Sequence, residues 1–319
     1  MRSLLPALVF LSACTAVQRP HTGLPTRSGA SNATGASSAS SAALDSLRTR
    51  IATRIRALPG AEVAVWFRDL SSADSLALDA DLSFHAASTM KVPVMIELFR
   101  QADAGTLRLD QPLRIENRFT SIVDGSPFTL NANDDSDSTL YHRIGQEVPL
   151  RELNLRMITR SSNFATNLII QLLDAPTITA HARALGARDI QVRRGVEDTK
   201  AFEAGLNNTT TAHDLGVLMA AIEQGRAGSA ASTAAMKAVL LQQEFNDEIP
   251  AGLPAGTPVA HKTGSITATW HDAAIVYPKG RGSPYVLVVL TRKIPNEKDA
   301  QSLISAISRE IYTFAMRRG

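Results

Sequence analysis

The segment VAHKTGSITATWHDAAIVYPKGRGSPYVLVVLT, residues 259–291, contains three consecutive stretches with strand composition. Residues 259–263, 273–277 and 285–291 carry mainly branched, aromatic or other apolar side chains, and Pro and Gly separate the last two stretches. We therefore predict three successive strands. The apolar residues that follow recur at helical spacing and predict a final helix over 297–316.

The rest of the chain supplies more strands and a long block of helices. Strands are predicted at 63–67 and 75–78, and residues 111–148 are predicted to be irregular. Helices are predicted at 45–57, 88–103, 150–158, 163–173, 176–185, 211–224 and 233–242. Strands at both ends of a chain, with helices between them, are typical of an α+β domain with an antiparallel sheet.

The first candidate for chemistry is Ser88-Thr89-Met90-Lys91, at the start of a predicted helix. A serine hydroxyl becomes a good nucleophile only when a base takes its proton. Residues i and i+3 share a helix face, so we expect Lys91 to reach the Ser88 oxygen. Burial or a neighbouring cation would lower the pKa of Lys91 and leave it neutral. Alternatively, Ser88 caps the helix and Lys91 is solvated.

Two other segments carry polar groups that suit acyl transfer. Residues 161–163 (SSN) lie between two predicted helices, and residues 262–265 (KTGS) end the first C-terminal strand. Lys262 offers a positive charge and Thr263 a hydroxyl donor, while Gly264 allows a close approach of the backbone. The N–H that follows can point at an oxyanion. Together these groups suit an anionic substrate.

The motifs S-x-x-K, S-x-N and K-T-G in this order resemble those of class A β-lactamases and penicillin-binding proteins, the penicillin-recognising serine hydrolases. The resemblance covers 45–319, and 161–168, 209–211 and 271–278 are similar to class A segments. It implies an α+β, β-lactamase/transpeptidase-like fold. That fold has a five-stranded antiparallel sheet flanked by helices and an additional all-α subdomain.

The resemblance also implies roles for individual residues. They are Ser88 as nucleophile, Lys91 as its base, Ser161 as proton donor to the leaving nitrogen, Asn163 as support of the substrate amide, Lys262, Thr263 and Gly264 as the carboxylate-binding strand, and the backbone N–H groups of Ser88 and Ser265 as the oxyanion hole.

The sequence departs from the family pattern at two places. Ser162 stands where the second motif has Asp. Many class A enzymes carry an arginine on the strand after K-T-G, whereas this chain has His271 in the matching region and Arg292 a strand later. The carboxylate-binding part of the site therefore lacks the arginine found in many relatives.

The residue that activates water for deacylation is assigned to Glu197 rather than Glu203. Glu203 begins an E-x-x-L-N pattern, as in the family, but it lies almost against Thr209 and leaves hardly any loop to fold over the site. Glu197 keeps most of that loop and follows a basic pair, and water positioning would then fall to Asn207 or Asn208. A third possibility is that neither glutamate touches the site.

The N-terminus predicts export and a lipid anchor. Residues 1–14 have a basic start and a short apolar run, and they end in a lipobox-like Leu-Ser-Ala-Cys whose Cys14 would carry the lipid. An ordinary secretory signal is the alternative. Residues 15–43, rich in Ser, Ala, Gly and Thr, predict a flexible linker, and 44–319 are the predicted catalytic domain. We expect a membrane-anchored lipoprotein on the periplasmic side of the envelope.

Composition excludes several classes of protein. With 44% apolar and 20% charged residues, the chain is not disordered as a whole. Cys14 is its only cysteine, which excludes a disulfide scaffold. The net charge of +3 comes from arginines in the first 43 residues, so no nucleic-acid partner is expected. Residues 131–137 (NANDDSD) lack the Gly and terminal Glu of an EF-hand and predict a solvated loop. No cofactor or metal is expected, and the protein is expected to be a monomer.

The expected reaction is β-lactam hydrolysis through an acyl-enzyme on Ser88. A D,D-peptidase or esterase-like hydrolase acting on a peptidoglycan-like substrate remains open. So does a penicillin-binding sensor that acylates without fast turnover. The three share Ser88, Lys91 and Lys262 and differ in the base that deacylates.

Overall fold

A computed structural model describes residues 32–280 and 283–317, and for 32–40 it describes the backbone only. The predicted signal peptide with Cys14 and most of the predicted linker lie outside the described residues. The chain divides into Met1–Ala39 and Ser40–Gly319, and every element below except the start of the first helix belongs to the second unit. In the described ranges, no helix combines the length and the apolar character that crossing a membrane requires.

Five strands form the main sheet, and six short strands form three separate pairs among the described residues. They are β1 (Glu62–Asp69), β2 (Ser75–Leu78), β3 (Phe84–His85), β4 (Pro112–Arg114), β5 (Phe119–Thr120), β6 (Pro127–Phe128), β7 (Glu147–Pro149), β8 (Thr209–Thr210), β9 (Val259–Ile266), β10 (Thr269–Val276) and β11 (Tyr285–Arg292).

The helices fall mostly between β3 and β9. They are α1 (Asn32–Arg56), α2 (Lys91–Asp103), α3 (Leu150–Thr159), α4 (Asn163–Leu173), α5 (Ala175–Ala184), α6 (Thr199–Glu203), α7 (Ala212–Glu223), α8 (Ala230–Leu240) and α9 (Glu297–Met316).

The main sheet has the order β2-β1-β11-β10-β9, and all its pairs are antiparallel. Side chains alternate across a strand, so each strand contributes to two cores. On β1, Val65 and Phe67 pack with α1 and α9, whereas Ala64 packs on the other face with the helical block. The expected α+β fold with a five-stranded antiparallel sheet is confirmed.

Two boundaries differ from the sequence predictions, and several short elements were not predicted. Helix α1 begins at Asn32, inside the segment 15–43 assigned to the linker. That segment ends in a run of Ala and Ser, and alanine is the strongest helix former, so composition alone did not exclude a helix. Strand β9 continues through Lys262 to Ile266, because β10 pairs with it along its whole length. Helix α6 and the short strands within 111–148 were not predicted.

Candidate active site

Ser88 lies on a short 3₁₀ turn, Ala87–Met90, that leads into α2. Ala87 adopts a left-handed φ of 45°, and its N–H donates to Nδ1 of His85 at 3.0 Å. Strand β9 passes directly beside this turn. A Cβ at Gly264 would lie 2.9 Å from the backbone nitrogens of both Ser88 and Thr89, so only glycine lets the strand come this close.

Ser161 lies between two buried lysines. Its Oγ accepts hydrogen bonds of 3.1 Å from Lys91 Nζ and 3.1 Å from Lys262 Nζ. A hydroxyl has two acceptor lone pairs and one donor proton. With both lone pairs engaged by N–H groups of the two lysines, the Ser161 proton is directed away from them and is available to a substrate atom.

Burial changes the proton affinity of both lysines, which have no exposed surface. Desolvation lowers the pKa of Lys91 well below its usual range, and the positive charge of Lys262 lowers it further. Desolvation also lowers the pKa of Lys262 to about 7, although the carboxylates of Asp272 and Glu248 oppose the shift. A lysine that is easily deprotonated near neutral pH can act as a general base.

The expected hydrogen bond between Lys91 and Ser88 is absent among the bonds of the described residues. Lys91 Nζ instead donates to the Ser161 carbonyl at 2.6 Å and to Asn163 Oδ1 at 2.9 Å, besides the Ser161 hydroxyl. Ser161 has a left-handed φ of 56°, and its carbonyl lies within reach of the amine. Catalytic hydrogen bonds are often long before substrate binds, so the role predicted for Lys91 remains a prediction.

Glu197 is brought to the site by the loop that precedes α6. Its carboxylate accepts a 2.7 Å hydrogen bond from Asn163 Nδ2, and its backbone has a left-handed φ of 62°. Partial burial raises the pKa of Glu197, while the Asn163 hydrogen bond and the Lys91 charge lower it. Strained backbone of this kind concentrates at functional sites.

Glu203 lies away from this arrangement and is exposed at the end of α6. The predicted water-positioning asparagines are used elsewhere. Asn208 accepts from the backbone of Arg193 and Arg194 and donates back to the Arg194 carbonyl, and Asn207 accepts from the Arg194 guanidinium. Both side chains therefore hold the two ends of the loop together, and Asn163 is the amide that contacts Glu197.

The predicted start of α4 at Asn163 is confirmed, but the side chains that stabilise it were not predicted. Ser162, the departure from the family motif, is fully buried and caps the helix by accepting from the Ala165 N–H. Asp135 accepts from the N–H groups of Asn163 and Phe164 at 3.1 and 2.8 Å. An acidic side chain at a helix N-terminus is stabilising. Asp135 thus fixes the backbone that carries Asn163.

The interpretation of 131–137 as a solvated loop is therefore wrong for two of its acids. Asp135 and Asp137 are 8% and 3% exposed, and Asp137 pairs with Arg156 at 2.8 Å. Partners from distant segments stabilise these charges, and no local pattern reveals such partners. Within the described residues, no group of His, Cys, Asp or Glu converges in a metal-binding arrangement.

Asp198, next to Glu197, was also missed. Its buried carboxylate accepts from Ser121 Oγ at 2.9 Å, from the Ile122 N–H at 3.0 Å and from the Ala201 N–H at 3.1 Å. It therefore ties the loop carrying Glu197 both to α6 and to the segment around Ser121. Asp198 is the N-cap of α6, so recognising an aspartate as the start of this unpredicted helix would have been the signal for it.

Neither basic residue near K-T-G reaches the cleft. His271 is fully buried, its Nε2 lies 2.9 Å from the His85 carbonyl, and desolvation lowers its pKa to about 4. Arg292 pairs with Glu62 and lies over the ring of Phe84. Lys262, whose Nζ donates to the Thr263 carbonyl at 2.8 Å, supplies the positive charge of the K-T-G segment.

Two cavities meet at Ser88, Asn163 and Ser265. The Glu197 cavity, about 430 Å³, is further lined by His85, Arg194, Glu197 and Phe202. The Trp270 cavity, about 300 Å³, is further lined by Ser161, Thr263, Gly264, Phe245 and Trp270. The predicted nucleophile therefore lies where a substrate can extend to both sides.

Comparisons with known proteins show similarity in sequence and in fold. A model of the beta-lactamase enzyme family matches residues 46–315. Beta-lactamase AST-1 of Nocardia asteroides is 31% identical over 246 residues, which cover 76% of this chain and 74% of that protein. A beta-lactamase from Chitinophaga pinensis DSM 2588 has a TM-score of 0.75 at 25% identity, over 85% of this chain and 99% of that one. A PBP-A mutant in an acyl-enzyme complex with penicillin-G has a TM-score of 0.73 at 27% identity, over 86% of this chain and 98% of that one.

Proposed function

The chain belongs to the beta-lactamase enzyme family, and we propose that it hydrolyses β-lactams through an acyl-enzyme on Ser88. One observation carries the assignment of the site. On one side of Ser88, the Ser161 hydroxyl is held by two buried lysines, and on the other Glu197 is held by Asn163. The two halves of an acylation and deacylation cycle thus adjoin the same serine.

Acylation begins when neutral Lys91 takes the proton of Ser88 and the Ser88 oxygen attacks the lactam carbonyl. The backbone N–H groups of Ser88 and Ser265 stabilise the oxyanion. As the carbon–nitrogen bond breaks, Ser161 gives its proton to the nitrogen and is reprotonated from Lys91, which ends the step neutral. Lys262 and Thr263 hold the substrate carboxylate.

Deacylation needs a base beside the ester. Glu197 takes a proton from a water molecule, and the resulting hydroxide attacks the ester carbonyl. The bond to Ser88 breaks, the serine oxygen takes that proton back from Glu197, and a ring-opened acid leaves. The Glu197 pKa, raised by partial burial, makes this carboxylate a stronger base than a solvated one.

The purified protein is tested with the chromogenic cephalosporin nitrocefin, together with intact mass measurements over time. We expect sustained colour and no lasting adduct. A single stoichiometric burst with a persistent adduct would instead indicate a penicillin-binding sensor. No reaction with any β-lactam would leave the D,D-peptidase or esterase-like activity, to be tested on a D-Ala-D-Ala peptide and on a neutral ester.

We also propose that the protein is an exported, monomeric lipoprotein anchored at Cys14 on the periplasmic side of the envelope. The lipobox and the acid-free segment behind it support this. Cys14→Ser should move the protein from the membrane pellet to the soluble fraction. A mutant that still pellets like the parent would refute the anchor.

A further inference from the structure

The Trp270 cavity is unusually acidic for the site of an anionic substrate. Four carboxylate side chains line it, and among the described residues no lysine or arginine does: the acids are Asp134, Asp247, Glu248 and Glu297. None of the four forms an ion pair with a described residue. The absence of an arginine near K-T-G thus coincides with an excess of negative charge.

The proposed chemistry decides which part of a substrate enters this cavity. Ser161 delivers its proton to the lactam nitrogen, and Lys262 and Thr263 hold the carboxylate. Both groups belong to the ring fused to the lactam. Since Ser161 and Thr263 line the Trp270 cavity, a substituent on the carbon next to the carboxylate-bearing carbon extends into it.

One acid of the Trp270 cavity, Glu248, lacks a hydrogen-bond partner for one of its oxygens. It is only 7% exposed, and its Oε2 is buried without a hydrogen-bond partner. Burial, with the nearby carboxylates of Asp272 and Asp247, raises the pKa of Glu248 to about 8. Glu248 is therefore mostly protonated near pH 7, and a cation that arrives in the cavity would favour its ionised form.

Two aromatic residues accompany the acids in this lining. Trp270 is held by a hydrogen bond from its Nε1 to the Ile294 carbonyl at 3.1 Å, and Phe245 is 40% exposed. Aromatic faces attract organic cations, and tryptophan does so most strongly. Acids and aromatic rings together suit a flat or quaternary cation better than they suit a neutral ester.

We propose that the Trp270 cavity is a subsite for a cationic group, such as a pyridinium, carried by the fused ring beside its carboxylate. The proposal rests on the proposed function and narrows it to a substrate class, the zwitterionic β-lactams. Lys262 binds the carboxylate, while Asp247, Glu297 and Trp270 bind the cation.

The test uses two cephalosporins that share the thienylacetyl group on the lactam ring. Cephaloridine has a pyridinium on the fused ring, and cephalothin has a neutral acetoxymethyl group there. The measured quantity is the ratio of their kcat/KM values at low ionic strength, because the intrinsic reactivity of each substrate cancels when variants are compared. Asp247→Asn combined with Glu297→Gln should lower the ratio at least about fivefold, and high salt should lower it in the parent.

Two further variants make the result specific. Trp270→Leu keeps the charges and removes the aromatic face, so it should also lower the ratio. Glu116→Gln removes an exposed acid that does not line the cavity, and it should leave the ratio unchanged. An unchanged ratio in the double variant would overturn the cationic subsite and would leave the proposed β-lactam hydrolysis unaffected. A parent that neither hydrolyses nor is acylated by either compound would overturn the proposed function, and the subsite with it.

Discussion

The side-chain amide of Asn163 donates a 2.7 Å hydrogen bond to the carboxylate of Glu197, 34 residues further along the chain. The oxygen of the same amide accepts from Lys91 at 2.9 Å. One asparagine therefore joins the amine proposed for acylation to the acid proposed for deacylation. Changes at either end should affect the two half-reactions separately.

Glu197→Gln should acylate at close to the parental rate and then accumulate as a stable acyl-enzyme. Glutamine keeps an oxygen that accepts from Asn163 but cannot take a proton from water, and loss of a general base costs about 10²–10⁴-fold. Intact mass after mixing with benzylpenicillin measures the adduct. Glu203→Gln, an exposed position, is the matched control and should turn over normally. Stalling by the Glu203 variant alone would transfer the role to that residue.

Lys262→Met should shift the pH dependence of acylation. The charge of Lys262 lowers the pKa of Lys91, so its removal raises that pKa, and a higher pH is needed before Lys91 is neutral. The acid limb of the acylation rate constant should therefore move to higher pH. Loss of a charged hydrogen bond costs about 1.5–3 kcal/mol, so the variant should also bind carboxylate substrates less tightly, with a smaller effect on neutral esters. Equal losses with an unmoved profile would contradict both roles.

Gly264→Ala should impair acylation with a smaller effect on folding. The new Cβ would meet two backbone nitrogens at 2.9 Å, and backbone cannot move aside as a flexible side chain can. Strand β9 and the Ser88 turn must separate, which displaces the oxyanion donors. Overpacking of this kind costs about 1–3 kcal/mol of stability. We expect the acylation rate constant to fall at least about 100-fold, while urea unfolding shows a modest loss in the free energy of unfolding. An acylation rate equal to that of the parent would show that the close approach is dispensable.

Ser88→Ala should abolish covalent labelling by a fluorescent penicillin and leave the fold intact. Among the described residues, the Ser88 hydroxyl makes no hydrogen bond, so its loss should change the free energy of unfolding by no more than about 1 kcal/mol. Labelling and urea unfolding are measured on the same preparation. Label that still attaches to the alanine variant would place the nucleophile elsewhere.

His271 should make stability fall in acid. Its folded pKa of about 4 lies below the ordinary value of 6.5, so the unfolded chain binds more protons between these values. The contribution of neutral His271 to the free energy of unfolding is fully present above about pH 6.5 and is lost as the pH falls towards 4. The shift corresponds to roughly 3 kcal/mol. His271→Gln should flatten this dependence in urea unfolding between pH 7 and 4, and an equally steep decline would assign it to other groups.

Local sequence patterns were enough to predict the fold class and to propose a set of reactive residues. Short runs of branched and apolar residues, bounded by turn residues, predicted the strands at both ends of the chain, because a strand that is covered on both faces needs apolar side chains at nearly every position. The three short motifs predicted the nucleophile, both lysines and Asn163, because each motif lies within one turn or one strand end. These features depend on neighbours only a few residues away.

Features that depend on distant partners became visible only in the folded chain. Glu197 rather than Glu203 lies against Asn163, although the local pattern matched Glu203 better. In the folded chain, Asp135 is buried and accepts a hydrogen bond at the start of α4. Arg292 pairs with Glu62 and not with a group in the cleft. Burial, pKa and ion pairing are set by groups that are remote in sequence and adjacent in space. The chain's own order of residues carries no local trace of them.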